Sequence, residues 1–230
     1  MDTEQLITEM KGHRTDDAQA MSAYLRNQFP FLGLKSVARR NITKPYFKEA
    51  KQEARALSKV NPDIPIIDWN FVQECWQQEE REFQYVATDY LNDMQMYLKK
   101  DDINHLKKLI TTKSWWDSVD ALVKRVGYFQ TQYPELKETI IEWSVSDNLW
   151  LRRVAIIHQL SMKEATDTQL LTRTIMNNLG SNEFFINKAI GWALRDYARI
   201  NEEWVKNFLR QYQTELAPLS MREASKHINM

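Results

Sequence analysis

Four stretches decide the fold: EREFQYVATDYL (80–91), SWWDSVDALVKRV (114–126), NLWLRRVAIIHQL (148–160) and EFFINKAIGWALRDY (183–197). In each, apolar residues recur at helical steps, and a small residue sits in the apolar run at Ala87, Ala121, Ala155 and Ala189. Successive alanines are 34 residues apart, the signature of a repeat built from one supersecondary unit.

Second helices are expected between these four. Asp68 is placed to N-cap WNFVQECW, Pro134 to open ELKETIIEW, and Asp167 to N-cap TQLLTRTIMNNL, which ends at Gly180. Each repeat then reads as a helical hairpin. A hairpin of this size cannot bury both faces alone, so successive hairpins must stack. The expectation is an all-α stack of paired helices that curves into a concave surface. It would form one domain over residues 1–230, with basic N-terminal helices at 1–60, repeats over about 66–214 and a capping helix at 219–230. Ser220 and Glu223 have the S-x-x-E spacing of a capping box, which would open that last helix after Pro218. The segment NPDIPIID (61–68) reads as a loop.

Composition agrees with helices. Gly and Pro supply five and six of 230 residues, far fewer than a chain rich in tight turns would need. The N-terminal MDTEQLITEM is acidic and lacks an apolar run, so neither a signal peptide nor a membrane span is expected there, and a cytoplasmic location follows. A lone cysteine, Cys75, excludes a disulfide framework, and His13, His105, His158 and His227 do not have metal-ligand spacing. The five glycines make no phosphate-cradling or dinucleotide motif. No metal and no nucleotide cofactor is expected.

The net charge is zero, with 31 basic and 31 acidic residues, but its distribution is uneven. From Arg26 to Lys59 there are nine cations, among them Arg39 and Arg40, against Glu49 and Glu53. From Asp63 to Asp93 Arg81 alone faces eight carboxylates. The basic run fits either a solvated helix face or contact with nucleic-acid phosphates. A second constellation is sharper. Trp116 and Asp120 lie one helical turn apart, and superposing the repeats brings Arg153 and Trp192 to the same neighbourhood. Such a cluster is either packed core with a structural ion pair or a small site for a cation attached to a phosphate backbone.

Several longer motifs carry a family resemblance: TTKSWWDSVD (111–120), DNLWLRRVAI (147–156), FFINKAIGWALRDYA (184–198), ELAPLSMREASKHI (215–228), and MSAYLRNQFPFLGL (21–34) followed by Arg39 and Arg40. Together they resemble the AlkD-type DNA alkylation repair glycosylases over nearly the whole chain. The resemblance implies a DNA glycosylase that removes cationic N3- and N7-alkylated purines from double-stranded DNA in base excision repair. It implies an α-α superhelix of HEAT-like helical-hairpin repeats, a C-shaped solenoid with a basic concave face, no need of a base-flipping pocket and no cofactor. The family's catalytic carboxylate falls on Asp120, its paired aromatic on Trp116, its essential arginine on Arg153 and its second tryptophan on Trp192. DNA contacts fall on Tyr24, Arg39, Arg40, Lys113, Lys163 and Lys188. Ser161 stands where family members often carry a lysine, with Lys163 two positions later. A monomer with no membrane partner is expected. Two other readings remain: a non-catalytic repeat protein that binds distorted or branched DNA, and a peptide-binding scaffold of tetratricopeptide type, whose repeat is also 34 residues long.

Overall fold

In the structure, a computed structural model, residues 1–61 and 63–228 are described. All regular structure among these residues is helical, with no strand. Residues 229 and 230 of the expected capping helix, and residue 62 of the expected loop, lie outside the described residues. The chain packs as two compact units, 1–105 and 106–230.

The first unit holds α1 (Thr3–Gly12), α2 (Ala18–Tyr24), α3 (Ser36–Val60), α4 (Trp69–Gln77) and α5 (Arg81–Asp93). Asp68 caps α4 as expected, its Oδ1 accepting the Phe71 N–H at 2.9 Å. Phe47, Phe71 and Tyr90 meet edge-on in the core, with ring centroids 5.0–6.4 Å apart. The connection before α3 is fixed by a buried carboxylate. Glu82, in the first turn of α5, accepts the backbone N–H groups of Leu32, Gly33 and Leu34 at 2.8–3.0 Å. Gly33 has φ +91°, and a Cβ there would lie 2.7 Å from the Thr15 carbonyl oxygen, so this turn admits only glycine. The neighbouring Arg81 is fully buried, with its guanidinium 3.8 Å from the centroid of the Phe29 ring.

The opposite charges of the sequence runs meet in this unit. Arg39 donates to Asp89 through Nε (3.3 Å) and Nη2 (2.9 Å), Arg40 reaches Asp89 at 3.5 Å, and Lys51 pairs with Asp93 at 2.8 Å. Three members of the basic run, Arg39, Arg40 and Lys51, thus meet two of the acidic run, Asp89 and Asp93, across the α3–α5 contact.

The boundary between the units falls inside α6 (Ile103–Thr111). The second unit continues with α7 (Trp116–Gln132), α8 (Lys137–Ser144), α9 (Leu149–Ile157), α10 (Thr168–Met176), α11 (Phe184–Ala198), α12 (Glu202–Gln211) and α13 (Pro218–Ala224). Asn148, Asp167 and Asn201 cap α9, α10 and α12 through their side chains. Pro134 opens a short 3-10 turn that runs into α8. The hairpin pattern is therefore present, with first helices starting at residues 69, 103, 137, 168 and 202. Ala87, Ala155 and Ala189 are fully buried, whereas Ala121 is only half-buried. On α7 the buried face is instead formed by Val119, Leu122, Val123 and Val126. The 34-residue spacing places the helices correctly but misplaces the core position by a fraction of a turn in this one.

The expected capping box is corrected. Residue Ala217, not Ser220, is the N-cap of α13, Pro218 is its first residue, and Ser220 and Glu223 lie inside the helix, both buried. Their polar atoms reach across to α11: Ser220 Oγ donates to the Asn187 carbonyl at 2.9 Å, and Glu223 takes up cations of that helix. Gly191 permits the close approach, since a Cβ there would collide with the Cβ of Glu223 and lie 2.9 Å from the Ser220 carbonyl oxygen. The S-x-x-E spacing was real, but Pro218 sets the helix start earlier and turns both side chains towards a neighbour.

Candidate active site

The site is built by α7, α9 and α11, which lie side by side in the second unit. Trp116 is the first residue of α7 and Asp120 stands one turn later. Arg153, on α9, approaches Asp120 as a fork: Nε to Oδ1 at 2.9 Å and Nη2 to Oδ2 at 2.8 Å. Its remaining nitrogen, Nη1, donates to the Phe185 carbonyl at 2.8 Å in the first turn of α11. The guanidinium carbon lies 5.9 Å from the rings of both Phe185 and Trp192. One arginine thereby ties three helices together, and its side chain is only 4% exposed.

Each guanidinium nitrogen has a partner within the protein, which uses three of its five N–H donors. Arg153 thereby fixes the orientation of the Asp120 carboxylate. Asp120 itself is 19% exposed and keeps an open side. Burial pushes its carboxyl above the ordinary aspartate range, and the Arg153 hydrogen bond and charge act in the opposite direction.

Beside the pair lies an aromatic cluster at the helix starts. Trp115 meets Trp150 and Phe185 edge-on, at 5.9 and 5.3 Å between centroids, and Trp150 lies 5.0 Å from Phe185. Phe184 continues the cluster and is 55% exposed. Phe185 is the residue that sequence reasoning missed. The double Phe at 184–185 signals an aromatic, but not which of the two turns inward.

The expected DNA contacts fall in varied settings. Tyr24 ends α2 and is 73% exposed; Arg40 is also exposed. Arg39 departs from expectation: its side chain is 8% exposed and engaged with Asp89, leaving it inside the unit's packing. Lys113 lies half-buried in the turn before α7, with φ +48°. Lys163 is exposed, with φ +55°, in a turn whose Ser161 N–H is held by Asp196 Oδ2 at 2.7 Å. Lys188 is paired with Glu223 at 2.8 Å. That carboxylate is buried and also holds Arg195 at 2.6 Å and Lys226 at 2.8 Å. Hydrogen bonds from Lys188 and Lys226 draw its pKa down to about 2.

Among the described residues, no three His, Cys, Asp or Glu side chains come together as a metal site. His158 is buried, its Nδ1 2.8 Å from the Ala155 carbonyl, and burial draws its pKa down to about 4. It serves as a neutral packing residue.

Comparison with known proteins settles the class. Residues 6–228 match the family described as DNA alkylation repair enzyme. The chain belongs to that family. A predicted DNA alkylation repair enzyme from Enterococcus faecalis is similar in structure and sequence, with a TM-score of 0.79 and 32% identity over 94% of this chain and 97% of that one. AlkD2 from Streptococcus mutans shares the fold, with a TM-score of 0.59 and 20% identity over 80% of this chain and 91% of that one. The smu.31 protein of Streptococcus mutans UA159 is alike in the same sense, at 0.58 and 20% over 83% and 98%. No match was found among curated proteins. The all-helical architecture is that of the AlkD-like helical repeat fold, and among the described residues no helix is long and apolar enough to cross a membrane.

Proposed function

We propose that this DNA alkylation repair enzyme is a glycosylase that releases cationic N3- or N7-alkylated purines from duplex DNA. The observation that carries the reading is the Asp120 carboxylate, gripped on one side by Arg153, open on the other, and flanked by Trp192 across the guanidinium. A carboxylate held in that way can be aimed where positive charge develops, at no reorganisation cost during the reaction.

The chemistry matches the substrate. An alkylated N3 or N7 gives the purine a positive charge, so the base needs little acid assistance to leave. As the C1′–N bond breaks, its electron pair goes to the base and cancels that charge, while the deoxyribose becomes oxocarbenium-like. Asp120 stabilises the charge on the sugar and orients the water that adds to C1′; the water's proton leaves through the carboxylate to solvent. Arg153 maintains the ionised carboxylate against burial. Trp116 and Trp192 supply ring faces for the sugar and the cationic nucleotide. An open site lets the damaged base leave without a tight pocket, which predicts tolerance of bulky adducts.

Chromatography of bases freed from methylated duplex DNA tests the proposal. Wild type should release 3- or 7-methylpurine, and Asp120→Asn should do so about 100- to 1000-fold more slowly, the range for losing one preorganised charge-stabilising group. Tight duplex binding without base release would favour the non-catalytic alternative, and equal release by Asp120→Asn would remove the assigned role.

A further inference from the structure

Helix α3 has an acidic side that the proposed base release does not use. Tyr46, Glu49, Ala50, Glu53, Ala54 and Leu57 recur at helical steps over about 16 Å. They form one wall of a cavity of about 370 Å³ in the first unit, a volume within the range of small-molecule sites. The start of α1 contributes Asp2, the loop before α4 contributes Ile66 and Asp68, and the end of α5 contributes Tyr90 and Met94. Four carboxylates thus line the cavity, and among the described residues no lysine or arginine does. Asp2 is engaged as the N-cap of α1, and Asp68 caps α4 and faces the Met1 ammonium at 3.6 Å. Glu49 and Glu53 are exposed and have no ion-pair partner among the described residues. Tyr90 is only 1% exposed; its hydroxyl accepts the Asp68 N–H at 3.0 Å and makes no other hydrogen bond among the described residues. Burial, reinforced by the charges of Asp68 and Glu53, pushes its pKa up to about 12, so it remains a neutral phenol whose oxygen can accept a further donor.

The spacing of these groups selects the occupant. Among the described residues no three of the carboxylates come together as a metal site. Between them the wall is apolar, with Ala54, Leu57, Ile66 and Met94. Separated negative charges joined by apolar surface complement ammonium groups on a methylene stem, whereas one metal ion needs oxygens that converge. Glu49 and Glu53 stand one turn apart, about 5–6 Å between Cβ atoms, a separation that a short methylene chain between two ammonium groups spans. We propose that this cavity binds a linear aliphatic polyamine, with ammonium groups on Glu49 and Glu53, the stem along Leu57 and Ile66, and a terminal ammonium donating to the Tyr90 hydroxyl. A slender chain end can reach that buried phenol, and the described residues offer no strand edge on which a basic peptide could pair its backbone. Neither the Asp120 site nor base release enters the inference.

Isothermal titration calorimetry of the full chain with spermidine tests the proposal. Wild type should bind one spermidine per chain, and Glu49→Gln combined with Glu53→Gln should weaken Kd by about 10-fold, the scale of two exposed ion pairs. Ala50→Leu, which adds bulk to the wall without changing charge, should weaken it at least as much. A charge-matched control in the second unit, Glu142→Gln with Glu164→Gln, should leave Kd in place. The four glutamates are exposed, so circular dichroism melts of both double variants should overlay those of wild type. Absence of saturable spermidine binding overturns the proposal, as does an equal loss in the charge-matched control, which would make net charge the cause. So does displacement of spermidine by magnesium chloride at matched ionic strength, the mark of a diffuse counterion. A lysine-rich peptide that binds more tightly than spermidine, and is lost in the Glu49 and Glu53 variant, would transfer the cavity to a protein partner and overturn the assignment to a free polyamine. Release of methylpurine by the same preparations is read separately: spermidine binding without base release leaves the cavity standing and removes the glycosylase reading.

Discussion

Two carboxylates of the second unit join helices through cations, and they are set in opposite ways. Asp120 has one arginine and a partly open face, so burial dominates and its pKa is raised. Glu223 has Lys188, Arg195 and Lys226 around it, and its pKa falls to about 2. The number of cations decides the difference. A carboxylate with a single cationic partner and an open side can still interact with a passing charge; one enclosed by three cations is a fastener. The proposed function gives Asp120 to the chemistry, and Glu223 belongs to the joint that holds α11 against α13.

Substitution of each tests this contrast most strongly. Asp120→Asn should reduce base release by about 100- to 1000-fold, well beyond its cost in stability, because the amide oxygen keeps one Arg153 contact although its NH2 then faces a guanidinium N–H. Glu223→Gln should do the reverse in kind: a loss of about 2–3 kcal/mol in chemical unfolding, from weakened charge-assisted hydrogen bonds, with a smaller loss of turnover per folded molecule. If Glu223→Gln costs activity as severely as Asp120→Asn at full folding, the contrast fails.

Titration separates the two next. In the proposed mechanism Asp120 acts as an anion, and burial raises its pKa, so the acid limb of the base-release rate should lie above the ordinary aspartate value of 3.8. Weakening the Arg153 grip with Arg153→Lys should move that limb to higher pH. Glu223 has a folded-state pKa of about 2 against an ordinary 4.5. Its stabilising contribution is complete above about 4.5 and is lost as pH falls towards 2, where the folded carboxylate takes up a proton. A pH-rate profile and acid unfolding should therefore report different windows. An acid limb below 3.8 would contradict the Asp120 assignment.

The fold was largely legible because periodicity is a property of local sequence. The alanine spacing and the Asp68, Pro134 and Asp167 signals located the helices. The candidate site was legible in part: Trp116 to Asp120 is one helical turn, and Arg153 could be placed near them by repeat superposition. Phe185 was not, because its contribution is a backbone carbonyl and one of two adjacent rings. Nor was the fate of Arg39, since a basic run does not reveal which members meet Asp89 on a helix 50 residues away. Glu223 was misread for a related reason. A capping box and a buried interhelical contact use the same residue types at the same spacing, and only the position of the helix start tells them apart.

The smallest effect expected comes from Ser220, the neutral partner in the Glu223 joint. Its hydroxyl donates to the Asn187 carbonyl, a buried bond at 2.9 Å between α13 and α11. Ser220→Ala removes one neutral donor and leaves a backbone oxygen that belongs to the α11 ladder, so the cost should be about 1 kcal/mol in urea unfolding. It should not move the acid-unfolding window, which depends on Glu223. A Ser220→Ala loss as large as that of Glu223→Gln would mean that close packing at Gly191, rather than the three cations, holds α13 in place, and the comparison between the two carboxylates would then rest on Asp120 alone.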